Sequence, residues 1–283
     1  MSQSKPRINP LQIKKYITFL KEQERAVSTI RKYEHDLLLF CAYLKETPLT
    51  KEKLIDWKQE LLSQFAPATV NSMLTVVNGY LRFMGWPLLC VRLLKIQRPF
   101  FLDEKKELTR AEYIRLVQAA KGQENERLSL VIQTICATGI RVSELQFITA
   151  EAVYRGRAEI NNKGKQRLIF LPEKLRRLLK AYLRKQKKTA GAVFTTRTGR
   201  PLDRSNIWRD MKALCERAGV LPDKVFPHNL RHLFARTFYG MEKDLNRLAD
   251  ILGHSNINTT RIYTAESGTV HATQIGRLGL VIT

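Results

Sequence analysis

Cysteine is scarce in this chain: four residues in 283, Cys41, Cys90, Cys136 and Cys215, far apart and with no CxxC pair. That spacing argues against a zinc site or a disulfide framework, so all four are expected as reduced thiols, mostly in cores. Long apolar runs are missing too. MSQSKPRINP at the amino terminus has no apolar signal core, and no stretch reaches the roughly 18 apolar residues that span a membrane. A cytoplasmic protein is expected. There is no repeat of about 20–50 residues and no low-complexity tract, which excludes solenoid and linker-like architectures. Acidic residues form the last deficit: 26 Asp+Glu against 49 Lys+Arg leave a net charge of +23 and a pI near 10.1. No lipid or amphipathic anchor accompanies that charge, so its expected partner is a polyanion, most simply nucleic acid. The excess is spread: residues 1–99 carry 16 basic and 8 acidic groups, residues 100–283 carry 33 and 18. Both halves are therefore expected to touch the polyanion.

A chain of 283 residues is long enough for about two domains, each with its own core. Asn9 and Pro10 begin a helix whose Ile13, Tyr16, Ile17 and Leu20 make one apolar stripe. A second follows Ser28, with Tyr33, Leu37, Phe40 and Leu44 at helical spacing. Thr50 can cap a third through Leu54, Trp57 and Leu61, and a fourth runs from about Thr69 through Val70, Leu74, Val77, Leu81 and Met84 until Gly85 and Pro87 end it. Four such helices make a bundle over residues 1–90. Residues 91–107, with Arg92, Lys95, Arg98 and a DEKKE run, read as a linker.

A capping box, Thr109 to Glu112, opens the second domain. The nearly all-apolar helix LSLVIQTICAT is then stopped by Gly139, which places Arg141 just past the helix end. Val153–Ile160 and Gln166–Leu171 read as two strands around a turn with Lys163 at its tip. Between Lys174 and Lys188 stand eight basic residues and no acid, interleaved with leucines, so an amphipathic basic helix is expected there. Arg197, Arg200 and Arg204 extend that basic surface, and a helix capped by Ser205 carries Ile207, Met211 and Leu214 to Gly219. The fold class expected is mainly α with a small antiparallel sheet.

Three of the five histidines fall within residues 226–264, which end near an isolated tyrosine. His228 and Arg231, three apart after Pro227, share one helix face. His254 follows the helix-ending Gly253, and Tyr263 lies nine residues on, beyond Asn258 and Thr259, either of which suits the cap of a short helix carrying the hydroxyl. These side chains suit phosphate chemistry. Two guanidiniums, Arg141 and Arg231, can hold phosphate oxygens by charge-assisted hydrogen bonds as negative charge accumulates on them. No carboxylate cluster of the kind that cradles magnesium stands out, so neither a metal nor another cofactor is expected. Tyr263 is the candidate nucleophile; its phenol, ordinarily losing its proton near pH 10, needs an adjacent base such as His228.

HxxR, LGH and a tyrosine nine residues further on resemble the carboxyl-terminal signature of the tyrosine recombinase (phage integrase) family. ATGIRVSEL around Arg141 is similar to the family's first arginine box, and NNKGKQRLIFLP around Lys163 to its lysine-bearing hairpin. STIRKYEHDLLLFCAYL is similar to the second helix of its core-binding domain. The resemblance implies a core-binding domain over 1–90, a linker over 91–107, a mixed α/β catalytic domain over 108–265 and a tail, 266–283, that either folds back on its own domain or is exchanged between protomers about a hinge at Gly268. It implies catalytic roles for Arg141, Lys163, His228, Arg231, His254 and Tyr263, a 3′-phosphotyrosyl intermediate that needs no ATP, Lys163 as acid for the departing 5′-oxygen, and a tetramer on two DNA duplexes. DNA contacts are expected from Arg92, Lys95, Lys165, Arg176, Arg177 and Arg200. The hairpin is one residue shorter than the family's GKGxKxR form, which leaves Lys165 as an alternative acid. The chain begins close to its first core helix, so no arm-binding domain is expected, and short inverted core sites are the expected target. A type IB topoisomerase-like relaxer, a metal-dependent nuclease and a DNA binder with an inactive site remain as competing readings. The charge carries its own test: affinity for duplex DNA should fall steeply with salt as many phosphates are neutralised, and binding that is flat between low and moderate salt contradicts the expectation.

Overall fold

Asn9 begins the first helix, α1 (Pro10–Glu22), by accepting the Gln12 N–H at 2.8 Å, while the Gln12 side chain accepts the Asn9 N–H at 3.1 Å. This reciprocal cap satisfies donors that a helix start otherwise leaves open. The computed structural model describes residues 6–45, 47–96, 104–162, 165–254, 256–263, 273 and 276–278, apart from the side chains of Glu104, Asn162 and Lys165. In it the chain forms two units, Met1–Arg98 and Pro99–Thr283.

In the first unit α1 is followed by α2 (Val27–Leu44), α3 (Lys51–Gln64) and α4 (Pro67–Phe83). The expected stripes are the ones that pack: Ile13, Tyr16, Ile17, Leu20, Leu37, Phe40, Leu44, Leu54, Trp57, Leu61, Val70, Leu74, Val77 and Leu81 share one core, with Tyr33 and Met84 half-buried at its edge. Two starts lie upstream of the sequence-based positions. α2 begins at Val27 rather than after Ser28, and α4 at Pro67 rather than Thr69, because each is preceded by an extended alanine that makes no side-chain cap. Pro67 is suited to that first turn, where no backbone donor is needed.

Beyond α4 the chain runs extended beside it, held by two asparagines seven residues apart. Asn78 donates to Val91 O at 2.8 Å and accepts the Val91 N–H at 3.0 Å; Asn71 does the same for Leu94, at 2.9 and 2.8 Å. Each side-chain amide thus stands in for a neighbouring β-strand and pairs both backbone groups of one residue.

The second unit is built around α6 (Glu126–Thr138), against which α5 (Arg110–Gly122), α8 (Glu173–Lys185), α9 (Arg204–Lys212) and α11 (Pro227–Glu242) all pack. That surround explains its nearly all-apolar composition, since a helix covered on every side has no polar face to keep. The expected first strand is partly helical: Thr149 accepts the Ala152 N–H at 3.2 Å and starts α7 (Ala150–Arg155), which a left-handed Gly156 ends. Val153 to Arg155 therefore belong to that helix, and β1 spans Arg157–Asn162 and β2 Lys165–Phe170. The two strands form an antiparallel hairpin in which Ile160 faces Arg167 and Ala158 faces Ile169. The tip, with Lys163, lies outside the described residues.

Asp203, rather than Ser205, caps α9 by accepting the Asn206 N–H at 2.8 Å, and α10 (Cys215–Ala218) follows as a separate turn. After α11 come α12 (Leu245–Leu252) and two 3-10 turns, Ile257–Thr259 and Arg261–Tyr263. Asn256 caps the first of these, so neither Asn258 nor Thr259 plays that part. The tail expected to exchange between protomers, with its hinge at Gly268, lies outside the described residues apart from Thr273 and Gly276–Leu278. Among the described residues no helix is long and apolar enough to cross a membrane, and the four cysteines form no disulfide, Cys215 being buried and the others half-buried.

The asparagine clamp can be tested. Asn78 is 5% exposed, so Asn78→Ala should strand both backbone groups of Val91 and lower the stability of the first unit by about 2 kcal/mol in denaturant unfolding; a loss under about 0.5 kcal/mol contradicts the clamp.

Candidate active site

Helix ends and the elements between them bring the side chains together. α6 stops at Gly139, in the left-handed region at φ 65°, where an added Cβ would meet the Phe234 ring at 2.4 Å. Glycine is required there for both reasons. Two residues on, Arg141 starts a 3-10 turn, Val142–Phe147. The buried Glu144 carboxylate accepts the Arg141 backbone N–H at 2.7 Å on Oε2 and the Arg141 Nη1 at 3.0 Å on Oε1, and Arg167 Nη2 donates to Oε2 as well. Arg141 also reaches Gly253 O with Nη2 at 3.5 Å, and its side chain remains over a third exposed.

Arg167 comes from β2. By strand alternation it shares the inward face with Ile169, and beyond Glu144 it donates to Ile251 O at 2.9 Å. Gly253, at φ 65°, ends α12 beside it; a Cβ there would lie 2.8 Å from Arg167 Cδ. His254 follows at once. Its Nδ1 is 2.8 Å from the buried Thr260 Oγ1 and its Nε2 3.0 Å from Arg231 Nη2. Arginine only donates, so Nε2 accepts and Nδ1 carries the proton toward Thr260.

Arg231, on the inner face of α11, is 1% exposed. It donates to Gly139 O at 2.5 Å and Leu252 O at 2.7 Å, the carbonyls at the ends of α6 and α12. Burial, then the nearby Arg141, brings its pKa down to about 10, with Tyr263 opposing the shift. Tyr263 is 4% exposed, and among the described residues its buried hydroxyl meets no hydrogen-bond partner of good geometry. Its ring lies 6.1 Å from that of His254, stacked at 17°, and 4.9 Å from that of His232, edge to face at 81°. His232 in turn meets the ring of His228 at 4.5 Å. Contact therefore passes from His228 through His232 to Tyr263 and His254.

Of the residues expected from sequence, Arg141, Arg231, His254 and Tyr263 converge, and His228 stands one ring away from the phenol. Lys163 lies outside the described residues, and of Lys165 only the backbone, paired with Asn162, is described. Among the expected DNA contacts, Arg92, Lys95, Arg177 and Arg200 are exposed. Arg176 is engaged elsewhere: it donates to Val153 O at 3.1 Å, Tyr154 O at 3.1 Å and Glu173 at 3.0 Å, closing the end of α7. Four contributors were not anticipated: Glu107, Glu144, Arg167 and His232. Glu144 sits inside the arginine box, and alternation along Gln166–Leu171 places Arg167 with Ile169. His232 is one turn after His228. Glu107 has no local signal, since its partners lie over a hundred residues away.

As a chemical environment, the site gathers three guanidiniums, of which Arg141 and Arg167 pair with the buried Glu144 carboxylate and Arg231 holds backbone carbonyls. Donors are fixed before any ligand arrives, which suits a phosphate. Burial, then the neighbouring His232 and the guanidiniums of Arg231, Arg141 and Arg204, lowers the His228 imidazole to about 4; burial, Arg231, Arg141 and Arg167 lower His254 to about 4. Both fall below the ordinary 6.5, so the unfolded chain binds more protons than the folded one between about 6.5 and 4. Stability should hold above pH 6.5 and fall as pH drops through that window. Melting temperature from pH 7 to 5, with NMR titration of the two imidazoles, checks it; rings titrating near 6.5 with flat stability contradict it.

Comparison with known proteins follows the same lines. Residues 106–269 match the phage integrase family, and residues 13–86 match the phage integrase N-terminal SAM-like domain. Tyrosine recombinase XerA of Pyrococcus furiosus is 27% identical over 261 residues, covering 89% of this chain and 88% of that protein. Tyrosine recombinase XerD of Caulobacter vibrioides is 34% identical over 225 residues, 72% of each. Lambda integrase shares the fold: residues 75–356 as a dimer bound to a COC′ core site match with a TM-score of 0.76 at 17% identity, covering 93% of this chain and 97% of that one. Its tetramer bound to a Holliday junction matches with a TM-score of 0.75 at 16% identity, covering 93% and 78%. On its sequence, its two-unit fold and the convergence of Arg141, Arg231, His254 and Tyr263, the chain belongs to the phage integrase family and is a site-specific tyrosine recombinase.

Proposed function

We propose that this recombinase acts on double-stranded DNA at short inverted core sites, with Tyr263 as the nucleophile and four protomers on two duplexes. One observation carries the mechanism: Tyr263 is buried beside the Arg231 guanidinium and the His254 imidazole, which can hold a phosphate. Arg141 and Arg231 bind the non-bridging oxygens and strengthen that hold as negative charge builds in the transition state. His254 contributes a hydrogen bond to the same phosphate once it exchanges Thr260 for it, and His228, at the exposed start of α11, lines the same approach. Tyr263 gives its proton to a neighbouring imidazole and attacks phosphorus; the phosphorus–O5′ bond breaks, and Lys163, or Lys165 in its place, protonates the departing oxygen.

The product is a 3′-phosphotyrosyl enzyme that conserves the energy of the broken bond, so a 5′-hydroxyl can reverse the step without ATP. The arginines do the charge stabilisation that a metal would otherwise supply, so no metal ion is needed in this mechanism. Four protomers follow from the need to cut and exchange four strands, and the lambda integrase tetramer on a Holliday junction supports that count. The helical unit over 1–90 serves as the core-binding domain, the match of residues 13–86 supporting this; 91–107 links it to the catalytic domain at 108–265. The tail at 266–283 couples protomers by exchange.

The experiment is a suicide substrate that traps the covalent step. Wild-type protein should give a denaturant-resistant adduct in excess chelator, and Tyr263→Phe should abolish it while changing DNA affinity by less than about twofold, because only the attacking oxygen is removed. An adduct that survives Tyr263→Phe, or cleavage that needs magnesium, contradicts the mechanism.

A further inference from the structure

Two buried polar atoms that make no hydrogen bond of good geometry among the described residues, to one another included, belong to rings that touch: Nε2 of His232 and the hydroxyl oxygen of Tyr263, which also lies near the Arg231 guanidinium. One of the pair is a proton donor, the phenol. Whether the other is an acceptor depends on the opposite side of the imidazole. There Nδ1 lies 3.2 Å from Oε1 of the buried Glu107, whose Oε2 is 3.3 Å from Arg236 Nη2. Burial pushes the Glu107 carboxyl up, but the His232 hydrogen bond and the neighbouring Arg236 guanidinium outweigh it, so the group stays below the usual carboxylate range. Glu107 is therefore ionised at neutral pH and can only accept, which puts the proton of a neutral His232 on Nδ1 and leaves a lone pair on Nε2.

We propose that His232, oriented by Glu107, is the base that takes the phenolic proton of Tyr263. The inference rests on Tyr263 being the nucleophile and replaces His228 as its base. In cleavage, the phenol O–H bond breaks and its proton passes to His232 Nε2, the oxygen bonds to phosphorus, and the phosphorus–O5′ pair leaves with O5′, which is protonated from the lysine hairpin. In rejoining, the imidazolium returns the proton to the phenolate as it departs. Glu107 stays ionised throughout and is a positioning residue: it fixes the tautomer and stabilises the imidazolium, as a buried carboxylate does behind the histidine of a hydrolase triad. Geometry separates the two candidates. His232 lies against the Tyr263 ring, whereas His228 reaches it through His232 and sits beside Arg231, Arg141 and Arg204, which make its imidazole a poor proton acceptor. His228 is then free to face the phosphate.

The test varies the acidity of the nucleophile. Single-turnover cleavage of a suicide substrate is measured for wild type, His232→Gln and Glu107→Gln, each with tyrosine and with 3-fluorotyrosine at position 263. With tyrosine, His232→Gln should slow cleavage roughly a hundredfold and Glu107→Gln about tenfold, within the range of lost general-base catalysis. With the more acidic fluorophenol both deficits should shrink, an effect that a purely structural role would not produce. A bridging 5′-sulfur, which needs no proton on leaving, should restore Lys163→Ala but not His232→Gln. Glu107→Gln supplies the readout if His232→Gln does not fold. Wild-type rates in both variants, or deficits unchanged by fluorination, overturn the proposal. Failure of wild-type protein itself to form a Tyr263 adduct overturns the nucleophile assignment instead.

Discussion

The Arg231 guanidinium donates to Gly139 O and Leu252 O from a position almost wholly removed from solvent. Those carbonyls belong to the ends of α6 and α12, where a helix leaves its last acceptors open and concentrates the negative end of its dipole. One cation satisfies both ends. Because each helix stops in a left-handed glycine, Arg141 and His254 emerge within two positions of a carbonyl that Arg231 holds. The catalytic unit thus places three of its functional groups with one buried side chain, and Arg167 repeats the arrangement from the hairpin by tying Glu144 to Ile251.

This construction is poorly balanced in charge. Arg141 and Arg167 share the Glu144 carboxylate while Arg231 has no carboxylate partner among the described residues, and burial together with neighbouring cations pushes Arg231, His228 and His254 below their ordinary pKa values. A folded protein tolerates such crowding where a ligand relieves it. A phosphodiester fits: it carries the missing negative charge, accepts bidentate arginine hydrogen bonds, and gains the most from fixed donors as it approaches a pentavalent transition state. The Tyr263 ring, set between His232 and His254, is presented to the same place.

Much of this was legible in the residues because it is local. Asn9, Thr109, Gly139 and Gly253 mark helix boundaries by chemistry that needs no distant partner, and the apolar stripes of α1 to α4 follow the helical period. The HxxR spacing with its following histidine and tyrosine points to Arg231, His254 and Tyr263, which the fold brings together. Tertiary partners were not legible. Glu107 meets His232 across 125 positions, and the burial of Arg167 depends on packing of β2 against the end of α12. Val153 to Arg155 were misread as strand because β-branched and aromatic residues raise strand propensity, whereas the Thr149 cap and Gly156 stop decide for helix. The Arg176 guanidinium shows the same limit: its charge suggested DNA, but the carbonyls of α7 occupy it.

The central claim is that Arg231 is at once the clamp of two helix ends and a ligand of the reacting phosphate. A crystal structure with a cleaved core-site DNA and orthovanadate, which mimics the pentavalent phosphorus, tests it most directly. The account predicts vanadium bonded to the Tyr263 oxygen, with Arg141 and Arg231 donating to its equatorial oxygens while Arg231 keeps both carbonyls. Vanadate bound elsewhere, or Arg231 left without contact to it, would contradict the account.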